Sequence, residues 1–456
     1  MRLRTELLPW QQRAVDKLLP IRIGALYMEM GTGKTRTALE MVARRLDAGK
    51  IAGVLWLCPC SVINTIKADL RKHAEGALEV TRVHGIESLS SSLWLYEQLR
   101  TYCADGNIML VVDESNLVKN HQAIRSERVT EIAAMCKYRV ILNGTPISKN
   151  EADLFSQWYI LDWRVLGYKR FWSFAHNHLE YDPEIPGKIR RTLNVDYLVS
   201  KIAPYSYQVS KAECFSLPPK MQYSRYYWMD DPQTEHYMDV AEALLALLDE
   251  RKPATIYRLF TALQHVISGR TVTVGERLTN KATYATPLDN PRIQCLDDLL
   301  DEVGDQKTLI FAKYTHEIKT ILQLIHSRGA KGVPFYGEVP QKQRQEMLTE
   351  FSGDAQYMVC NKTCAGYGLN LQFCHNIIYY SNDWDYATRI QSEDRVHRLG
   401  QESTVTIYDI VARESLDERI SACLGRKQGL VEALKSELNR ANGIKAIAKK
   451  WVYGKG

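Results

Sequence analysis

The stretch Met28-Glu-Met-Gly-Thr-Gly-Lys-Thr35 constrains this chain more than any other. It sets a glycine-rich turn between an apolar run, Ile23 to Met30, and a helix-like run, Thr35 to Leu46. Gly31 and Gly33 let backbone N–H groups close around phosphate, and the following helix N-terminus adds its dipole. Lys34 can reach the β- and γ-phosphates and Thr35 offers a hydroxyl to Mg²⁺, so Gly31, Thr32, Gly33, Lys34 and Thr35 form a candidate nucleotide site. Position 28, where the strict P-loop pattern has its first glycine, is Met28, and only the shortened GxGKT form is matched. Taken alone, the stretch also reads as a plain glycine turn.

A chain of 456 residues exceeds what one core usually supports, so two or three domains are expected. Apolar content of 45% and charged content of 25% suit an ordinary globular protein, and a net charge of +6 permits a nucleic-acid partner without demanding one. Arg2, Arg4, Glu6, Arg13, Asp16 and Lys17 leave no room for a signal-peptide core, and no apolar run is long enough to span a bilayer. The expectation is an intracellular protein with no membrane partner, cytoplasmic in a bacterium or a virus-infected host, or nuclear in a eukaryote. Ten cysteines without a disulfide-like framework or a four-ligand zinc spacing fit a reducing compartment.

Further apolar runs at Val54 to Cys58, Val80 to Val83, Ile108 to Val112 and Val140 to Leu142 alternate with helix-like stretches. This is the βα alternation of a doubly wound parallel sheet, whose ligand groups sit at the carboxyl ends of the strands. Asp113 and Glu114 follow one such run. Downstream of a P-loop they can divide labour, Asp113 holding Mg²⁺ and Glu114 orienting or deprotonating the attacking water; an acidic turn that solvates a strand end is the alternative. Upstream, Leu7-Leu-Pro-Trp-Gln11 reads as a helix start, with Gln11 suited to the edge of an adenine. The aromatic residues between 151 and 181 read as core packing of a helical elaboration rather than as a base-stacking platform.

These pieces, with Cys58-Pro59, Ser61-Val62, Val83-His-Gly85, Lys119-Asn120 and Gly144-Thr-Pro146, resemble in order and spacing the first-lobe motifs of the Swi/Snf-type ATPases of helicase superfamily two. The second half continues the series with Leu217-Pro-Pro-Lys220, Leu309-Ile-Phe311, Tyr336-Gly337, Ala365-Gly-Tyr-Gly-Leu-Asn-Leu371 and Gln391-Ser-Glu-Asp-Arg-Val-His-Arg-Leu-Gly-Gln401. The resemblance covers residues 7 to about 420. It implies an α/β fold of two RecA-like doubly wound parallel-sheet lobes with helical insertions. The implied division is a first lobe over 1–215 with its helical elaboration from about 151, a helical connector and hinge over 216–290, a second lobe over 291–425 and a basic helical tail over 426–456. The turn-rich Gly275 to Pro291 is the candidate hinge. The tail reads equally as a brace or as a phosphate contact.

By the same resemblance Gln11 reads adenine, Gly366, Gly368 and Asn370 join the nucleotide site, and Arg395 and Arg398 act as arginine fingers. The two arginines share one face if their segment is helical, and they reach the phosphates only if the lobes face each other across a cleft. Ser61, Lys67, Lys149, Thr363 and Trp384 are candidates for a DNA path. Met28, Asn116 and Asn143 depart from the family's Asp, His and Thr, which bears on coupling between hydrolysis and lobe movement more than on hydrolysis. The implied activity is ATP hydrolysis with Mg²⁺, driving translocation along duplex DNA without sequence preference. A strand-separating DNA or RNA helicase, using for example a short hairpin within 160–210 as a wedge, is one alternative. An ATP-gated DNA clamp or scaffold with little hydrolysis is another. A targeting partner protein is left open, and a monomer is the default expectation.

Overall fold

The computed structural model describes residues 1–144, 151–181, 189–247, 253–361, 369, 371–426 and 451–452. They divide into two compact units, Met1–Ser216 and Leu217–Gly456.

The first unit is built on six strands: β1 (Ile23–Met28), β2 (Gly53–Cys58), β3 (Thr81–Gly85), β4 (Ile108–Asp113), β5 (Tyr138–Asn143) and β6 (Ser206–Val209). They pair in parallel in the order β6-β1-β5-β4-β2-β3. The four inner strands, β1, β5, β4 and β2, are buried on both faces and need no polar alternation, which is why their runs are largely apolar. Alternate residues feed two separate cores. Leu26, Val54, Trp56, Val111 and Leu142 pack with helix α1 (Pro9–Leu18), helix α2 (Lys34–Asp47) and the helix Ile63–His73. Ala25, Tyr27, Leu55, Leu110 and Ile141 pack with the helices Leu93–Asp105 and Ile124–Met135 and with α3 (Ala152–Leu166). The aromatic run belongs to this second core: Phe155, Trp158 and Phe174 are buried, Trp158 donates to the Tyr27 hydroxyl at 3.0 Å, and Trp172 alone among the large aromatics of 151–181 is strongly exposed.

The second unit repeats the plan with β7 (Lys220–Tyr227), β8 (Thr308–Phe311), β9 (Gly332–Phe335), β10 (Tyr357–Cys360), β11 (Asn376–Tyr379) and β12 (Val405–Ala412), all parallel, in the order β7-β12-β11-β8-β10-β9. The change of unit falls at Ser216/Leu217, and the stretch expected as a connector over 216–290, with a hinge at Gly275 to Pro291, builds from Leu217 onward into this unit. The reason is burial. β7 is a full strand of the sheet, and helices α4 (Asp231–Ala246) and α5 (Pro253–Ile267) contribute Tyr237, Val240, Leu244, Phe260 and Leu263 to its core. The expected hinge instead holds half of an antiparallel hairpin, Arg270–Val274 with Leu278–Ala282. Of the tail beyond residue 426, Trp451 and Val452 are described. Both are buried in the second unit, with Trp451 stacked on Phe260 and Tyr237 donating to the Val452 carbonyl at 2.9 Å.

Candidate functional site

In the first unit the candidate residues gather at the carboxyl edge of the sheet. The P-loop leaves β1 and turns through Gly31 (φ 85°) and Gly33 (φ 90°), a left-handed backbone that favours glycine. Gly33 then caps α2, so Lys34 and Thr35 begin the helix whose N-terminus faces the loop. The Lys34 ammonium donates to the Met28 carbonyl of its own loop at 2.9 Å. A side chain at Gly33 is excluded twice, by its φ and because a Cβ there would lie 2.0 Å from Gln11 Nε2.

The loop is held from the N-terminal side by two neighbours in α1. Trp10 Nε1 donates to the Thr32 carbonyl at 2.9 Å, and Gln11 Nε2 donates to the same oxygen at 3.1 Å. Gln11 Oε1 accepts from Leu8 N at 3.0 Å, so the amide expected to read adenine is 4% exposed and engaged at both ends with protein. The Thr32 hydroxyl closes back on the Glu29 carbonyl at 2.7 Å. Glu29 itself is pinned by the chain after β6: its N–H donates to the Val209 carbonyl and its carboxylate accepts from Lys211 N at 2.8 Å. Trp10 and the Val209–Lys211 segment are parts of the site that sequence reasoning did not assign. The indole beside Gln11 was the available signal for the first, and nothing local marks the second.

Asp113 ends β4 at the same edge and is 7% exposed. Burial pushes its carboxyl up to about 7, the neighbouring Glu114 charge adds to the rise, and the Lys34 ammonium acts against it. Glu114 adopts a left-handed backbone (φ 49°, ψ 57°), which costs a non-glycine residue energy. The following turn is gripped by α3. Ser115 Oγ bonds Gln157 Oε1 at 2.5 Å, Ser156 Oγ donates to the Val118 carbonyl at 2.5 Å, and Lys119 pairs with Asp153 at 3.6 Å. The helical elaboration therefore sets the position of the acidic pair. Nearby, Asn116 Oδ1 and Asn143 Nδ2 are buried without a hydrogen-bond partner among the described residues.

These features fit a magnesium nucleotide. The glycine turn supplies a cradle too tight for a Cβ, Lys34 supplies a cation whose present acceptor is a loop carbonyl, and Asp113 is a buried carboxylate whose ionisation calls for a further positive charge. Thr35, one residue into α2, supplies the hydroxyl. Ser61 sits in the short turn Cys60–Val62 after β2 and Lys67 on the next helix, so both lie at this carboxyl edge. Lys149 lies outside the described residues, as do Thr363, Gly366, Gly368 and Asn370 of the second unit.

In the second unit, helix α6 (Tyr386–Glu393) stops before the two arginines, and residues 394–400 run on as turns. Arg395 and Arg398 therefore do not share a helix face. Within the helix Arg389, 2% exposed, pairs with Glu393 at 2.7 Å and with both Asp409 oxygens at 2.5 and 3.0 Å, over the Tyr379 ring. Burial alone would raise the Asp409 carboxyl, but Arg389, with hydrogen bonds from Asn382 and Gln222, holds it below the ordinary value. Lys220 of β7 completes the set on Glu393 at 2.8 Å. Arg395 is 8% exposed and its carbonyl accepts from Leu371 N, while Arg398 reaches the Leu369 carbonyl at 3.4 Å. Trp384, proposed for a DNA path, is packed within the unit, with the Lys313 ammonium 3.9 Å from its ring centre and Tyr257 and Phe260 alongside.

Comparison with known proteins gives two matched domains, whose junction between 270 and 291 lies beyond the unit change at Ser216/Leu217. A SNF2-related domain matches residues 20–270, and a helicase conserved C-terminal domain matches residues 291–400. The chain is 23% identical to the uncharacterized ATP-dependent helicase YqhH of Bacillus subtilis, over 95% of this chain and 80% of that one. It is also 23% identical to the TATA-binding protein-associated factor mot1 of Aspergillus fumigatus, over 92% of this chain but 26% of that one, so it spans about a quarter of this longer relative. Among solved structures, the SWI2/SNF2 ATPase core of Sulfolobus solfataricus in complex with double-stranded DNA is 21% identical, with 99% of this chain and 98% of that one covered at a TM-score of 0.41. The P-loop of β1, the acidic pair of β4 and the arginine segment after α6 all fall inside the matched residues, and the chain belongs to the SNF2-related family of ATP-dependent, helicase-like ATPases.

Proposed function

We propose that this chain is an ATP-driven motor that moves along duplex DNA without separating its strands. The observation that carries the reading is the joint placement of the glycine cradle, Lys34 and the desolvated Asp113 at one sheet edge, in a chain of the SNF2-related family. Lys34 and the loop N–H groups bind the phosphates, Thr35 and Asp113 hold Mg²⁺, and Glu114 orients the attacking water. The metal, when bound, neutralises charge on the phosphate oxygens. Arg395 and Arg398 are the guanidinium groups assigned to the charge that develops in phosphoryl transfer. Ser61 and Lys67 are assigned to the DNA backbone, whose contacts give affinity without sequence preference.

The test is ATP turnover titrated with duplex, single-stranded and branched DNA and with RNA, followed by two assays with ATP. Stimulation by duplex, displacement of a third strand from a triplex and no strand release from a fork are the expected results. A strand-separating helicase is the second reading, favoured by one observation: residues Leu179–Tyr181 and Ile189–Thr192 form an antiparallel hairpin that could act as a wedge. Efficient fork unwinding without triplex displacement would select it. Nucleotide binding with negligible turnover on every nucleic acid would select the clamp.

A further inference from the structure

The opposite edge of the first sheet carries a feature that hydrolysis does not use. Ile23 and Tyr138 begin β1 and β5, and beside these amino ends lies a cleft of about 630 Å³. Four cations line it, Arg22, Lys137, Arg139 and Arg164, against one carboxylate, Asp162. Its remaining walls are largely apolar, from Ile21, Met135 and Val165 with the Tyr205 ring. Met135 is 38% exposed although large and apolar.

The cations are incompletely neutralised. Asp162 is turned to Arg164, accepting from its N–H and its Nε at 3.0 Å each. Asp162 can do so because it interrupts α3 with an extended backbone (φ −169°, ψ 115°). Arg139 reaches the Ile160 carbonyl at 3.2 Å, while its Nε is buried without a hydrogen-bond partner among the described residues. Burial lowers the Arg139 guanidinium below its ordinary value, and Asp162 only partly opposes this. Arg22 and Lys137 are exposed and form no ion pair among the described residues. A partly buried guanidinium favours carboxylate, which it binds in a two-point fork, and the apolar side chains beside it favour a ligand that brings side chains with its charges.

We infer that this cleft is a docking site for an acidic, partly apolar peptide segment of a partner protein. Its volume falls in the range of clefts that enclose short ligands, about 300–1,000 Å³. Nucleic acid fits it less well, because phosphate tracking uses an extended stripe of cations rather than four around one recess. A strand of six residues spans roughly 20 Å, so an occupant here does not meet a nucleotide at the carboxyl edge. The surface is independent of the motor reading, and it offers what a motor with sequence-neutral DNA contacts lacks, an address.

The probe is a labelled octapeptide alternating glutamate and leucine, titrated by fluorescence anisotropy against the full chain, with a lysine–leucine octapeptide as control. Binding of the acidic peptide alone is expected, weakening several-fold between about 50 and 200 mM salt. The paired substitution Arg22→Glu with Lys137→Glu should weaken it by about tenfold or more and leave ATP turnover unchanged. Arg139→Gln should weaken it as well, and amide protection on binding should appear in 20–23 and 134–139. Absence of binding, equal binding by the charge-reversed variant, or protection elsewhere would overturn the assignment. Displacement of the peptide by inorganic phosphate or by a short duplex at comparable concentration would also overturn it, making the cleft a simple anion site or a nucleic-acid surface.

Discussion

Replacing Asp113 by asparagine should stabilise the nucleotide-free protein, and by an amount that grows with pH. The carboxyl is raised from 3.8 to about 7, chiefly by burial. A folded-state value above the unfolded one means that the contribution is fully present below pH 3.8 and is lost as pH rises toward 7. Between those values the folded state holds one proton more than the unfolded state, so stability falls by about 1.4 kcal/mol per pH unit. Wild type should therefore lose roughly 2–3 kcal/mol relative to Asp113→Asn between about pH 5 and pH 8. His73 and His265, both lowered to about 4 chiefly by burial, act in the opposite sense. Their neutral forms contribute stability above 6.5 that is lost as pH falls toward 4, so the wild-type curve alone is a composite. Both histidines are present in each protein and cancel in the difference. The assay is urea denaturation of both proteins at about pH 5, 6, 7 and 8, without nucleotide or divalent cation. A pH-independent difference, or a wild type more stable than the variant at pH 8, would show that Asp113 is already ionised by a partner and would refute its reading as a carboxylate awaiting a cation. Adding magnesium and nucleotide at pH 8 should stabilise wild type more than the variant.

Glu114→Gln should keep nucleotide affinity and lose turnover by about two to four orders of magnitude, read by labelled-nucleotide binding beside phosphate release; near-normal turnover would make the carboxylate structural. Trp10→Phe keeps the ring and removes the donor to the Thr32 carbonyl, so nucleotide should bind about fivefold more weakly, a loss of about 1 kcal/mol, and equal affinity would show that Gln11 alone holds the loop. Asp409→Asn leaves the Arg389 guanidinium buried without its full counter-charge and should destabilise the second unit by about 3–5 kcal/mol in denaturation. A change under about 1 kcal/mol would mean that the Glu393 charge, with the Asn382 oxygen as a further acceptor, suffices to compensate Arg389.

The sequence made the central strands visible and hid three of the four outer strands of the two sheets. β1, β2, β4, β5, β8, β10 and β11 are largely buried on both faces and so carry apolar runs. The strands that no apolar run announced, β6, β7 and β9, are edge strands. Residues Lys220 to Arg225 of β7 are largely exposed, and β9 contains Gly332 and Pro334, tolerable where one side of the ladder is unpaired. Around the nucleotide site, Gly31 to Thr35 and Asp113–Glu114 were legible because their chemistry demands particular residue types at short spacing. The supports were not, because Trp10 with Thr32, Gln157 with Ser115 and Lys211 with Glu29 join residues far apart in the chain. Arg395 and Arg398 would share a face only in a helical segment, and α6 ends at Glu393, before both.

The pairing of β7 with β12 also sets an order on synthesis. Lys220 lies opposite Val405 and Tyr227 opposite Ala412, and among the described residues β12 is the only neighbour β7 has in its sheet. A growing chain therefore exposes β7, with Met221, Tyr223 and Tyr226 on it, throughout the time in which the other strands are being made. The first unit is different: β6 joins β1 as soon as Val209 is available, so its sheet can close before any of the second is translated. Nascent chains arrested between residues 230 and 400 should carry a finished first unit followed by an open one, and in that window an uncapped, tyrosine-rich strand is the segment most exposed to mispairing or to capture by chaperones.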